Sequence, residues 1–355
     1  MFENSKSRSS DFLPALESAR GIAAFMVLLH HFSRYPGLEQ LWYLTRSFYL
    51  SVDLFFVLSG YLLAKIYINN VRTIRELTAF LFLRIGRIYP LHLFWVLAFL
   101  TILLLTQHGS LDESQRATFW PTFFLLNSTG ITKDHSSFNS GSWSLSAEWI
   151  SYLLFGTWLL CTLSLKTGLR KIIAVIIAVT FYFLAYFLPQ SHHLDLSFDF
   201  GYARGIGGFF TGVAAYLFFR RELSNRTGFM LLLFILCFLV FKAPKNYTDF
   251  AFPVLCFFAV TWLASPPAQQ TVMSHPFLVW MGTVSYSVYL GHVIIGPAIK
   301  IIAAKVGVDA VAYAYVLLLV RIIAAYALSY FTYKLIEVPF RRLARGLTKK
   351  FMASS

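Results

Sequence analysis

Two residues in the first apolar segment set the chemistry to look for. Arg20 and His31 lie eleven residues apart in Arg20-Gly-Ile-Ala-Ala-Phe-Met-Val-Leu-Leu-His30-His31. That is close to three helical turns, so on a helix they share a face, about 16 Å apart. A neutral imidazole can accept a proton at physiological pH, and a guanidinium guides or steadies negative charge. With Arg20 at the cytoplasmic boundary, His31 is expected near the bilayer midplane, above a cationic entrance. A buried histidine bonded to a neighbouring helix fits the same residue, and His30, roughly 80° round the helix, is read only in that way.

Four further segments put polar groups where an apolar surrounding should forbid them, which makes function the default hypothesis. Asp53, in Ser51-Val-Asp53-Leu-Phe-Phe-Val-Leu-Ser59-Gly60-Tyr61, needs a partner. Bonded to an imidazole it would orient the ring, and a helix cap or structural ion pair is the alternative. Ser59-Gly60 reads as a place where two helices approach closely. In Arg84-Ile-Gly-Arg87-Ile-Tyr89-Pro90 the two arginines share a face and suit a phosphate or diphosphate, or they anchor the chain at the membrane surface. Pro90 fits the first turn of a new helix. Gly141-Ser-Trp143-Ser144-Leu-Ser146-Ala-Glu148-Trp149 sets Trp143 at a membrane interface and Glu148 more than one turn inside, to bind an acceptor hydroxyl, take a proton or hold an arginine. Tyr286, Tyr289 and His292 recur every three residues, either as a wet wall or as a hydrogen-bond ladder. Arg204 and Arg321 are candidates to pair with the carboxylates.

The elements that must position these groups are membrane helices. Of 355 residues, 57% are hydrophobic and only 13% charged, and mean hydropathy is +0.64, which excludes a cytosolic enzyme. Apolar segments fall at about 19-33, 48-68, 88-106, 143-163, 172-188, 204-219, 228-241, 249-264, 277-298 and 309-336. At roughly 20 residues per crossing they predict an all-α, polytopic integral membrane bundle of about ten helices. The 30 Lys and Arg lie between these runs rather than in one stripe, which argues against nucleic acid. About two thirds of them fall on one side, so both termini are expected in the cytoplasm. The segments divide into a cytoplasmic stretch 1-18, a transmembrane domain 19-340 and a basic cytoplasmic tail 341-355 that rests on anionic lipid. No removable signal peptide is expected. Cys161, Cys237 and Cys256 lack disulfide or metal-site spacing and read as packing residues. The loop from Gln107 to Gly141, with Asp112, Glu113, Lys133, Asp134 and His135, is expected to cover an outward opening. A transporter or flippase would share the buried charge, but the two halves show no inverted symmetry.

Taken together, these segments resemble the acyltransferase 3 family. That family carries an Arg, ten residues and a His in its first helix, matched by Arg20 and His31. It also carries Gly-Val-Asp-Leu-Phe-Phe-Val-Leu-Ser-Gly-Phe, Arg-x-x-Arg-Ile-x-Pro, Trp-Ser-Leu-x-x-Glu, Ser-Tyr-x-x-Tyr-Leu-x-His and Glu-x-Pro-Phe. Here these match Ser51 to Tyr61, Arg84 to Pro90, Trp143 to Glu148, Ser285 to His292, and Glu337 to Phe340. The departures are Ser51 for Gly, Tyr61 for Phe and Gly291 for a frequent Trp.

The resemblance implies transfer of an acyl group, most often acetyl, from cytoplasmic acyl-CoA to a hydroxyl on a sugar of a surface or exported glycan, in the bacterial cytoplasmic (inner) membrane. It places His31, Arg20, Asp53 and Glu148 in catalysis, with His31 as general base held by Asp53 or another acid. Arg84, Arg87 and Tyr89 would hold acetyl-CoA, and Trp143, Ser144, Tyr286, Tyr289 and His292 the glycan or lipid-linked sugar. Thioester transfer needs no metal, and none is expected. Some family members carry a hydrolase-like domain after the membrane unit. Here the chain ends soon after Phe340, so the acceptor is expected to be acylated within the membrane part or at its outer mouth.

Overall fold

In Thr167–Phe187, Ile172, Ile176, Val179, Phe183 and Phe187 follow one another at steps of three or four residues, and all are exposed. Ala174, Ala178 and Ala185 on the opposite face are buried. This is a water-soluble helix turned inside out. In lipid the outward face gains nothing from burial, and small residues let backbones pack closely.

The computed structural model describes residues 12–107, 109–132, 138–189, 191–218 and 223–354, so Lys133, Asp134, His135 and most of the N-terminal stretch lie outside the described residues. Every element among them is helical: α1 Pro14–Phe32, α2 Glu39–Thr45, α3 Ser51–Tyr67, α4 Ile74–Thr106, α5 Glu113–Phe123, α6 Trp143–Cys161, α7 Thr167–Phe187, α8 Gly201–Phe218, α9 Asn225–Phe241, α10 Ala251–Leu263, α11 Pro266–Gln269, α12 Pro276–Lys305, α13 Ala314–Thr332 and α14 Val338–Ala353. Each of the ten apolar segments therefore contains a helix. Five of the described stretches are long and apolar enough to cross a membrane: Phe48–Tyr67, Ile74–Thr106, Thr167–Phe187, Pro276–Lys305 and Ala314–Ala353.

Two helix seams organise the core. α1 packs on α12, where a Cβ on Gly282 would stand 1.9 Å from the carbonyl oxygen of Glu17. α3 packs on α8, where a Cβ on Gly60 would stand 1.8 Å from the carbonyl oxygen of Phe209. Only glycine permits either approach. The first seam brings the residues around Arg20 against those around Ser285. The second leaves Ser59, next to Gly60, free to face the interior.

The third expected segment begins fourteen residues early. α4 starts at Ile74, fixed by a capping box in which Thr73 accepts from the Glu76 amide and Glu76 accepts from the Thr73 amide. Pro90 therefore sits inside a 33-residue helix rather than opening one. Its missing N–H withdraws the bond that the Gly86 carbonyl would otherwise accept. At its other end the chain runs as one 40-residue stretch through α13, a π-helical turn at Tyr333–Glu337, and α14. The basic tail is thus a packed helix. α14 lies along α4, Gly86 faces Ala344, and Arg75 donates to the Phe351 carbonyl and covers its ring. Of the cysteines, Cys256 is buried as expected of a packing residue, whereas Cys161 and Cys237 are exposed.

Candidate active site

Two adjoining cavities run through the bundle. One is lined by Phe12, Leu13, Leu16, Glu17, Arg20, Leu62, Arg87, Thr283, Tyr333, Glu337 and Arg341. The next shares Arg20, Leu62 and Arg87 with it and continues between α3, α4, α6 and α12 to Ser59, Ser144, Glu148, Tyr286 and Tyr289. The first lies at the N-terminal end of α1. The second reaches toward the C-terminal end, because Tyr289 lies one turn before His292, whose ring sits 5.0 Å from that of His31.

The first cavity is a cluster of charge. Arg20 donates to Glu17 at 3.0 Å and to Ser285 Oγ at 3.4 Å. Arg341 donates to Glu337 at 3.1 Å, and Ser287 Oγ donates to the other Glu337 oxygen at 3.2 Å. Arg87 makes no hydrogen bond or ion pair with any described residue, although Glu148, Glu337 and Glu17 lie within its electrostatic reach. None of its guanidinium nitrogens is sealed without a partner, so its donors face the cavity. A cation held without acceptors between two cavities is suited to an incoming anion.

Glu148 occupies the second cavity. Ser59 Oγ donates to its Oε1 at 2.7 Å, and Tyr152 donates to the same oxygen. Both donors fix one carboxylate oxygen and leave Oε2 to the open space. Tyr286 lines the same cavity and donates to the Ile88 carbonyl, two residues before Pro90.

Beyond Tyr289 lies a pair of histidines. His31 falls in the last turn of α1, which runs from Pro14 to Phe32. His31 is exposed and lines neither of the two cavities; its ring meets that of His292. His292 is buried, its Nδ1–H donates to the Val288 carbonyl at 3.3 Å, and its Nε2 is sealed without a partner. With the proton on Nδ1, Nε2 carries a free lone pair. His30 is structural, as expected: it donates to the Thr45 carbonyl at 2.9 Å and accepts from Arg34 at 2.7 Å.

Four expected site residues stand elsewhere. Asp53 does not reach His31; it pairs with Arg204 in a sealed contact of 2.6 Å. Trp143 lies under the same guanidinium, 5.2 Å from it, and lines neither cavity. A buried arginine needs both its carboxylate and a π face, and these two residues supply them. Arg84 donates to Tyr67 and covers the Tyr67 and Phe80 rings. It lines neither cavity, its guanidinium being taken up by the Tyr67 and Phe80 rings. Tyr89 packs against His92 and Phe123. The residues that sequence reasoning left out of the site are Ser59, Tyr152, Glu17, Glu337 and Arg341. A signal for the last two was present: Arg341 follows the Glu of the Glu-x-Pro-Phe segment at the i, i+4 spacing of a helical ion pair. No group of three or more His, Cys, Asp or Glu among the described residues is placed to hold a metal.

Helices built for a bilayer, with a guanidinium-lined passage leading to a carboxylate, mark a membrane protein with a polar interior. The family model described as an acyltransferase domain matches residues 13–330, and the chain belongs to that family, acyltransferase 3. A Staphylococcus aureus (strain COL) protein named "Putative O-acetyltransferase SACOL0978" is 25% identical over 367 residues, covering 95% of this chain and 58% of its own length. The O-acetyltransferase OatA of Staphylococcus aureus (strain NCTC 8325 / PS 47) is 31% identical over 159 residues, 42% of this chain and 25% of its own. The chain thus spans little more than half the length of the relatives it matches from end to end. No solved structure matches it.

Proposed function

We propose that this chain is a membrane-bound O-acyltransferase, moving an acetyl group from acetyl-CoA to a sugar hydroxyl of a surface or exported glycan or its lipid-linked precursor. The observation that carries this reading is Arg87, a cation without acceptors at the junction of the two cavities. The diphosphate and 3′-phosphate of CoA supply acceptors for Arg87, with Arg20 and Arg341 beside it. The narrow arm of the donor then extends past Glu148 toward Tyr289 and the histidines.

His31 acts as the general base. It takes the proton of the acceptor hydroxyl, whose oxygen attacks the thioester carbonyl. The C–O ester bond forms, the C–S bond breaks, and the departing CoA thiolate collects the proton that His31 held. His292, its ring 5.0 Å from that of His31, backs the place where the acceptor meets His31. Ser144, Tyr286 and Tyr289 line the last stretch of the passage. Arg20 steadies the donor, and Asp53 serves the reaction only indirectly, by holding Arg204.

In this reading the helices of the ten apolar segments cross a bacterial cytoplasmic membrane with both termini on the cytoplasmic side. Residues 19-340 form the acyltransferase unit, extended by Arg341 of α14. The test is transfer of labelled acetyl from acetyl-CoA to extracted surface glycan by purified protein in liposomes. Acceptor-dependent CoA release is expected, and His31→Ala should abolish it with unchanged yield. Near-normal turnover of that variant contradicts the role of His31. Flux of donor without thioester cleavage favours transport instead.

A further inference from the structure

Arg321 in α13 is 2% exposed, yet no described acid pairs with it and it donates no hydrogen bond to any described residue. Its single strong contact is the ring of Tyr35, with the guanidinium carbon 3.8 Å from the ring centroid. Stacking satisfies one face of a guanidinium and none of its five N–H donors. Its Nε is sealed without a partner, while its two terminal nitrogens keep some open surface. An unpaired buried charge is costly, and within a membrane segment it marks a site by default.

Its place in the fold narrows the ligand. Tyr35 follows α1 closely, and its hydroxyl lies 2.5 Å from where a Cβ on Gly296 would stand. Gly296 is one turn beyond His292 on the same face of α12, and His292 faces His31. Arg321 is thus linked, through Tyr35, to the level one turn beyond the histidine pair. That lies on the side away from the cavity lined by Arg20, Arg87 and Arg341.

We propose that Arg321 binds an oxyanion carried by the acceptor, so that the acceptor class is an acidic sugar: a sugar acid or a sugar phosphate. The proposal rests on the acceptor meeting the donor at His31. Arg321 grips the anionic group while the hydroxyl to be acylated lies one turn deeper.

The test is thermal unfolding of the purified full chain in a neutral, lipid-free detergent, with glucuronate, glucose 1-phosphate, glucose or phosphatidylglycerol added separately. Glucuronate, glucose 1-phosphate or both should raise the wild-type melting temperature, and the stronger of the two names the anion. Glucose should not. Arg321→Gln should lose that shift and Arg321→Lys keep part of it, while CoA stabilises all three proteins alike. The proposal is overturned if Arg321→Gln responds to the acidic sugars as wild type does, if neither sugar shifts wild type, or if only phosphatidylglycerol does, which would assign the anion to lipid. A missing CoA response in wild type counts against the donor site alone.

Discussion

Asp53 accepts hydrogen bonds from Nε and Nη2 of Arg204 at 3.0 and 2.6 Å, and neither side chain is more than 1% exposed. The pair ties α3 to α8, and the Tyr49 carbonyl takes a further bond from Arg204 at 3.0 Å. Removing one partner from such a pair strands the other charge, at a cost of about 3–5 kcal/mol, whereas replacing both with apolar residues of similar size is often neutral. Asp53→Ala should therefore melt well below wild type in detergent, and Asp53→Leu with Arg204→Met should recover most of the loss. A catalytic Asp53 would behave otherwise: its single variant would fold normally and fail only in turnover.

Glu148 is held by Ser59 and Tyr152 through one oxygen and open at the other. Glu148→Gln keeps the shape and removes the charge near Arg87. Turnover should fall by about 10²-fold or more, with melting little changed. Ser59→Ala removes one hydrogen bond, about 1 kcal/mol, and should lower turnover roughly fivefold. Steady-state rates with labelled acetyl-CoA check both.

Asp195 lies in the loop between α7 and α8, where Lys245 pairs with it at 2.9 Å. Burial opposes its ionisation, but the Lys245 bond and the nearby Arg204 outweigh this and hold the carboxyl below its usual range. A carboxyl lowered in the folded state stabilises the fold above its unfolded value, about pH 3.9. That contribution disappears as the pH falls through the lower folded value. Asp195→Asn should melt slightly below wild type near neutrality, and the two curves should converge as the pH drops below about 4. The half-exposed Lys245 keeps the difference small.

The helices were legible because each needed only a run of apolar residues: all ten segments contain one. Helix ends were less so. Composition placed the start of α4 at the apolar run near Ile88, although the Thr73–Glu76 capping box was present in the sequence. Among site residues, Arg20, Arg87, Glu148, Ser144, Tyr286 and Tyr289 do line the passage. Spacing along one helix revealed which residues share a face, but not what that face meets. Asp53 and Arg204 are 151 residues apart in the chain, and close approaches at Gly60 and Gly212 bring their helices together. The same limit hid that α14 packs on α4, which brings Arg341 to the cavity that Arg87 lines and leaves Arg84 outside it.

The central claim is that Arg87, rather than Arg84, grips the phosphates of the acyl donor. Equilibrium binding of CoA to purified wild type, Arg87→Ala and Arg84→Ala tests it most directly. Loss of a charge-assisted phosphate contact, about 1.5–3 kcal/mol, should weaken binding by Arg87→Ala by roughly one to two orders of magnitude, while Arg84→Ala stays within a few-fold of wild type. Wild-type affinity in Arg87→Ala, or a larger loss in Arg84→Ala, would contradict the account.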